Sequence, residues 1–198
     1  MRLFYASASP FASKVRMAAH HCDIELEPVS TDTGAEPADL LEANPLGKIP
    51  ALVLPDASAL YDSAVICDWL DRQSGHALVP QDEAGWLLCK RIEATADGVV
   101  DGAILSVYEV RFRPEDKRHQ PWVDKQMRKA WRGMDVLEGA IGSLGTQPTT
   151  AHFAVAGLLG WFDLRFKGQW EERYPGLKAW IDGFPAIFPA YEDLKPKA

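Results

Sequence analysis

Ser9 stands between a short apolar run (residues 2–6) and Pro10, a residue that favours the first turn of a helix. A hydroxyl at such a junction can donate to an anion while the free N–H groups of the helix start add positive potential. No Ser-His-Asp context is evident around it, which disfavours hydrolase chemistry. As a donor to a thiolate it suffices. Lowering a thiol pKa from ~8.5 to ~6.5 requires about 2.7 kcal/mol. One hydrogen bond to a charged group supplies roughly 1.5–3 kcal/mol and a helix terminus about 0.3–1 more. The plainer reading is that Ser9 only caps the helix. Ser7, Ser13 and Tyr5 are close enough in sequence to compete for the donor role.

Two further segments carry polar chemistry. In Asn44-Pro45-Leu46-Gly47-Lys48-Ile49-Pro50-Ala51-Leu52, Pro50 directly precedes an apolar strand, where a residue without N–H belongs at the first position. A cis Ile49–Pro50 bond would turn the Ile49 backbone outward, free to pair with an extended peptide. A simple turn before an edge strand explains the same residues. In Tyr61-Asp62-Ser63, the serine lies at a helix start and can hold a carboxylate, with Asp62 beside it for an ammonium group. Together they fit the two charges of an α-amino acid end; they also fit an ordinary N-cap.

The elements that position these residues follow from periodicity. Residues 2–6 read as a strand, 10–21 as a helix and 25–29 as a second strand. A short helix opens at Pro37 and stops at Asn44-Pro45. Residues 51–54 and 59–61 form a hairpin around the turn at 55–58. Asp62 or Ser63 then caps a helix whose apolar positions are Val65, Ile66, Trp69 and Leu70. This β-α-β-α-β-β-α order predicts an α/β unit with a mixed four-stranded sheet. Residues 74–82 read as a linker, after which strand signals stop. Leu88, Ile92, Ala96 and Val99 keep helical spacing, as do Val123, Met127, Trp131, Met134, Leu137 and Ile141. Residues 153–166 are apolar nearly all round, so they predict a buried central helix. Pro175 opens a final helix.

Composition sets the outer bounds. The chain has 198 residues, 47% hydrophobic and 25% charged, enough to bury a core. No apolar run reaches the ~18 residues of a membrane span, and no signal-peptide core is present. Three cysteines without metal-type spacing point to a reduced, cytoplasmic protein without disulfides or a metal site. The net charge of −7 argues against a nucleic-acid partner. Residues 1–80 hold 11 acidic and 5 basic side chains, so the acidity sits almost wholly there.

With these motifs in this order, followed by an all-helical half, the chain resembles the cytosolic glutathione transferases, in a serine-type, bacterial branch. The resemblance implies a thioredoxin-like N-terminal domain over residues 1–76 and an all-α helical bundle over 83–198. It implies that Ser9 stabilises the glutathione thiolate, that Ile49 pairs with the cysteinyl backbone before the cis Pro50, and that Asp62 and Ser63 hold the γ-glutamyl end. Phe11 and Lys48 join the glutathione site, Lys48 with the alternative of a solvated loop lysine. The electrophile pocket falls to Phe11, Tyr108, Arg111 and Trp161, near Phe112, with plain bundle core as the alternative for the aromatics; Arg111 and Arg113 hint at an acidic or carboxylated co-substrate, and a solvated basic face explains them equally well. Glutathione is then co-substrate, the reaction is conjugation to a small electrophile with peroxidase side activity, and a homodimer is expected. The competing reading is a binding or regulatory module without turnover, which would be freer to lose Ser9.

Two departures from the family pattern stand out. Some relatives carry cysteine where Ser9 stands, and serine forms no mixed disulfide, so thiol-transfer chemistry is disfavoured. The central helix usually opens with a Ser/Thr-x-x-Asp box, but Thr149-Thr150-Ala151-His152 places His152 at the acid position. A neutral imidazole supplies no anionic acceptor there, so the capping of this helix is expected to suffer. Cys22 and Cys67 read as packed, inert thiols, and His20 and His21 as the end of the first helix.

Overall fold

A computed structural model describes residues 1–198. Strand β1 (Arg2–Tyr5) leads through Ser9 into helix α1 (Pro10–His21), and β2 (Glu27–Ser30) returns parallel to β1. Helix α2 (Ala38–Ala43) precedes β3 (Ala51–Val53) and β4 (Ala59–Leu60), an antiparallel pair feeding helix α3 (Ser63–Gln73). The sheet order is β2-β1-β3-β4, with β3 antiparallel to β1. Residues 74–82 then cross to the helical half. This comprises α4 (Glu83–Phe112), α5 (Gln120–Ala140), α6 (Thr150–Arg165), α7 (Pro175–Ile187) and the short α8 (Tyr191–Leu194).

The sheet and its crossovers match the order expected from sequence, with three adjustments. β2 begins at Glu27, not at residue 25. Cys22 closes α1, Ile24 N–H bonds back to Ala19, and pairing with β1 starts only where Glu27 meets Arg2. α5 ends at Ala140, and Ile141 opens a tighter 3₁₀ turn. The helix from Pro175 is not the last: α8 follows, bonded back through Ala190 and Tyr191 carbonyls.

The core joins both halves. α1 lies against α6 and α3, and one apolar cluster runs from Leu3, Val15 and Leu52 through Ile66 to Val99, Phe153 and Leu158. Only Phe4, Leu40, Ala43 and Ala51, beneath α2, form a separate small cluster. α6 is buried along nearly its whole length, as its uniform apolarity predicts. No helix is long and apolar enough to cross a membrane.

Candidate functional site

Topology collects the chemistry-bearing segments at one end of the sheet. The C-terminal end of β1, the N-terminal end of β3 and the C-terminal end of β4 coincide, because β3 runs against β1 and β4 against β3. Ser9 follows β1, Ile49-Pro50 precede β3, and Asp62-Ser63 follow β4, so all three segments meet there.

Each segment is locally determined. Ser9 is the N-cap of α1 in extended conformation, and its Oγ accepts from Ala12 N at 3.2 Å. Because Oγ accepts in that bond, its own proton stays available to a third group. The Ile49–Pro50 bond is cis. Gly47, at φ 62°, turns the preceding loop, and Asn44 holds it by donating from Nδ2 to the Lys48 carbonyl at 2.8 Å. The Ile49 N–H and C=O make no backbone hydrogen bond. Asp62 caps α3, accepting from Ala64 N at 3.0 Å, and the peptide bond before it is also cis. Ser63 is the first residue of α3, buried, and its hydroxyl bonds to no other protein group.

The remaining candidates separate. The Tyr5 side chain lies on the α1 face of the sheet with Leu3, its ring 5.2 Å from the Arg16 guanidinium carbon. Ser13 is buried and donates to the Leu194 carbonyl at 2.7 Å, which commits its proton. Ser7 is exposed, and its carbonyl accepts from Lys197 N. Trp161, expected to wall an electrophile pocket, is only 3% exposed and packs on Phe162 and Phe166 inside the bundle. Tyr108 is 40% exposed with its ring 5.3 Å from Phe112, over which Arg111 lies. Arg113 pairs with Glu109 at 3.4 Å. Phe11, half-buried, packs on the main core.

Models of the glutathione S-transferase N-terminal and C-terminal domains match residues 8–73 and 120–183. The uncharacterized GST-like protein YibF of Escherichia coli K12 is 31% identical over 174 residues, 83% of each chain. A glutathione S-transferase from Methylobacillus flagellatus KT, solved with GSH bound, superposes with a TM-score of 0.90 at 33% identity over 99% of both chains. A glutathione transferase family member from Pseudomonas fluorescens Pf-5, solved with bound glutathione, gives 0.89 at 34% identity over 100% of this chain and 99% of that one. The chain belongs to the glutathione S-transferase family.

Near these segments the structure adds charged residues that sequence reading missed. Lys14, one turn into α1, is 1% exposed and reaches across to α4, with Nζ 2.6 Å from Asp97 and 3.3 Å from Glu93. Burial works against its charge, but Asp97 and Glu93 outweigh that and hold the ammonium above the ordinary lysine value. Glu93 also accepts from Lys90 and from Thr150 on α6, so this cluster ties α1, α4 and α6 together. Burial would raise the Glu93 carboxyl, yet Lys14, Lys90 and Thr150 bring it below its usual value. One turn beyond Asp97 lies Asp101. Burial raises its carboxyl, Lys48 opposes this and Asp62 adds to it, which puts α4 within electrostatic reach of both loops. Tyr108 stands seven residues further along the same helical face, about 10 Å away. The only sequence signal for the cluster was a lysine and a glutamate among apolar helix residues. No group of three or more His, Cys, Asp or Glu converges as a metal site.

Proposed function

We propose that the protein binds glutathione at the shared end of β1, β3 and β4 and adds its thiolate to a small electrophile. The observation that carries this reading is Ser9, whose hydroxyl already accepts the Ala12 amide and so has its proton to give. The first turn of α1 adds positive potential at the same point. The unpaired Ile49 backbone suits an antiparallel pairing with the cysteinyl residue, next to Pro50. Ser63 and the open amides of α3 receive the γ-glutamyl carboxylate, Asp62 its ammonium, and Lys48 the other carboxylate. Holding the thiolate in place converts a bimolecular attack into an oriented one. Phe11, Tyr108 and Arg111 face the electrophile; Trp161, sealed in the bundle, is left out. Residues 1–76 form the glutathione-binding domain and 83–198 the helical one, and two copies associate as a homodimer of twice the 21.9 kDa chain mass. Light scattering after gel filtration reads that mass; a single-chain species removes the dimer from the proposal.

The test is retention on immobilised glutathione with a conjugation assay at pH 6.5, run with Ser9→Ala and Ser9→Gly. Loss of one hydrogen bond to a charged group, about 1.5–3 kcal/mol, predicts a fall of roughly ten- to a hundred-fold in kcat/KM and a raised thiol pKa in the complex. Ser9→Gly keeps most of the helix cap and must lose activity equally. Full activity in both variants moves the donor role to Ser7. Absence of retention at millimolar glutathione ends the enzyme reading.

A further inference from the structure

A cleft of about 520 Å³ lies away from the Ser9 end, between α1, the edge strand β2 and the C-terminal turn. Its origin is topological. β2 is the outermost strand, and pairing Pro28 with Leu3 puts Leu26, Pro28, Leu3 and Tyr5 on the α1 side of the sheet. Beside β2 the cleft is lined by Arg16, Ala19 and His20 of α1, by Ile24 in the turn after it and by Leu194 near the C-terminus. Leu194 is fixed in place, since its carbonyl accepts from Ser13 Oγ at 2.7 Å and Lys197 N bonds to the Ser7 carbonyl at 2.9 Å. The cleft is therefore preformed.

Its charges are specific. Arg16 is half-buried, its guanidinium lies over the Tyr5 ring at 5.2 Å, and it takes part in none of the ion pairs or side-chain hydrogen bonds of the protein. An arginine fork at an apolar wall without a carboxylate partner retains its full donor capacity. Asp23 and Glu25, both exposed, line the same cleft as the half-buried Arg16. We propose that this cleft is a second binding site for a small monocarboxylate with an apolar body. The carboxylate pairs with Arg16, and the body lies along Leu3, Ile24, Leu26 and Pro28. The Asp23 and Glu25 carboxylates disfavour ligands with several negative charges. The site is independent of the glutathione reading.

The test uses ¹⁵N-labelled protein in saturating glutathione, titrated with sodium octanoate, 1-octanol and octylammonium in turn. Octanoate is expected to move the Leu3, Ile24 and Leu26 amide signals saturably, octanol to bind more weakly and octylammonium not at all. Arg16→Met, which keeps the apolar stem, is expected to weaken octanoate at least ten-fold. Leu26→Glu, with Arg16 intact, is expected to weaken it as well, and serves if Arg16→Met does not fold. Octanol binding as tightly as octanoate, octanoate signals elsewhere only, or unchanged affinity in a folded variant overturns the proposal. Because glutathione is held in excess, its own signals report separately whether it binds.

Discussion

His152 occupies the position where the family's central helix carries an acid, and the expected loss of a cap does not occur. Thr149 N–H donates to Nδ1 at 3.2 Å, Thr149 Oγ1 lies 2.9 Å from the same nitrogen, and Nε2 lies 2.9 Å from the Gly145 carbonyl. A neutral ring with its proton on Nε2 satisfies all three contacts: the Nδ1 lone pair accepts, and Nε2–H ties the helix start to the preceding loop. The sequence showed the missing negative charge but not Gly145, whose approach depends on the loop's path. Burial lowers the His152 pKa, with the Gly145 bond only partly opposing it. The unfolded chain then takes up protons more readily than the folded one as pH falls below about 6.5. Stability is full above that pH and declines toward the lower folded-state pKa. His21, also lowered mainly by burial, adds to the trend. Urea midpoints between pH 7.5 and 5.5 are expected to fall in the wild type and to fall less steeply in His152→Gln, which keeps an acceptor without a titrating ring. An equal slope in the two proteins would remove His152 as the cause.

At the scale of elements, the local signals did well where a turn or a cap decides the structure. Ser9-Pro10, Asn44-Pro45, Ile49-Pro50 and Asp62-Ser63 each carry their own backbone preference, so the segments bearing them were readable from neighbouring residues. The contacts between elements were not. Lys14 meets Glu93 and Asp97 across 79 and 83 residues, a relation no periodicity encodes. The crossing of α6 over α1 is similar. Gly157 comes so close to the first turn of α1 that an added Cβ would stand 2.7 Å from the Pro10 carbonyl oxygen. In sequence this residue is only one glycine in an apolar helix. Backbone cannot yield as a flexible side chain does, so Gly157→Ala must push α6 and α1 apart. Overpacking of this kind costs about 1–3 kcal/mol. Since Pro10 follows Ser9, the variant is also expected to lower kcat/KM for conjugation, while Gly139→Ala, in open space on α5, lowers neither and gains up to about 1 kcal/mol from helix propensity. A Gly157→Ala protein with unchanged urea midpoint would mean the two helices do not bear on each other as described.

For the molecule as a whole, the charge asymmetry and the loss of strand signals after residue 80 suggest two units, whereas the packing makes one. The N-terminal half keeps only Phe4, Leu40, Ala43 and Ala51 in a cluster of its own. Its other sheet face and α1 belong to a 38-residue core shared with α4, α6 and α7. Polar links cross the same boundary, from Lys14 to Glu93 and Asp97 and from Ser13 to Leu194, while Thr150 N fastens the linker through the Leu78 carbonyl at 3.0 Å. Separating the halves would expose that apolar surface to water and break the Lys14 pairs with Glu93 and Asp97. Neither half is therefore expected to be stable without the other, although a 198-residue chain is long enough for two independent transitions. Calorimetry at fixed protein concentration is expected to show one transition. Tryptophan fluorescence, weighted to the helical half by six of seven tryptophans, is expected to coincide with far-UV dichroism. Residues 1–76 expressed alone are expected to lack cooperative unfolding. Two resolved transitions, or a folded 1–76 fragment, would show that the shared core does not couple the halves.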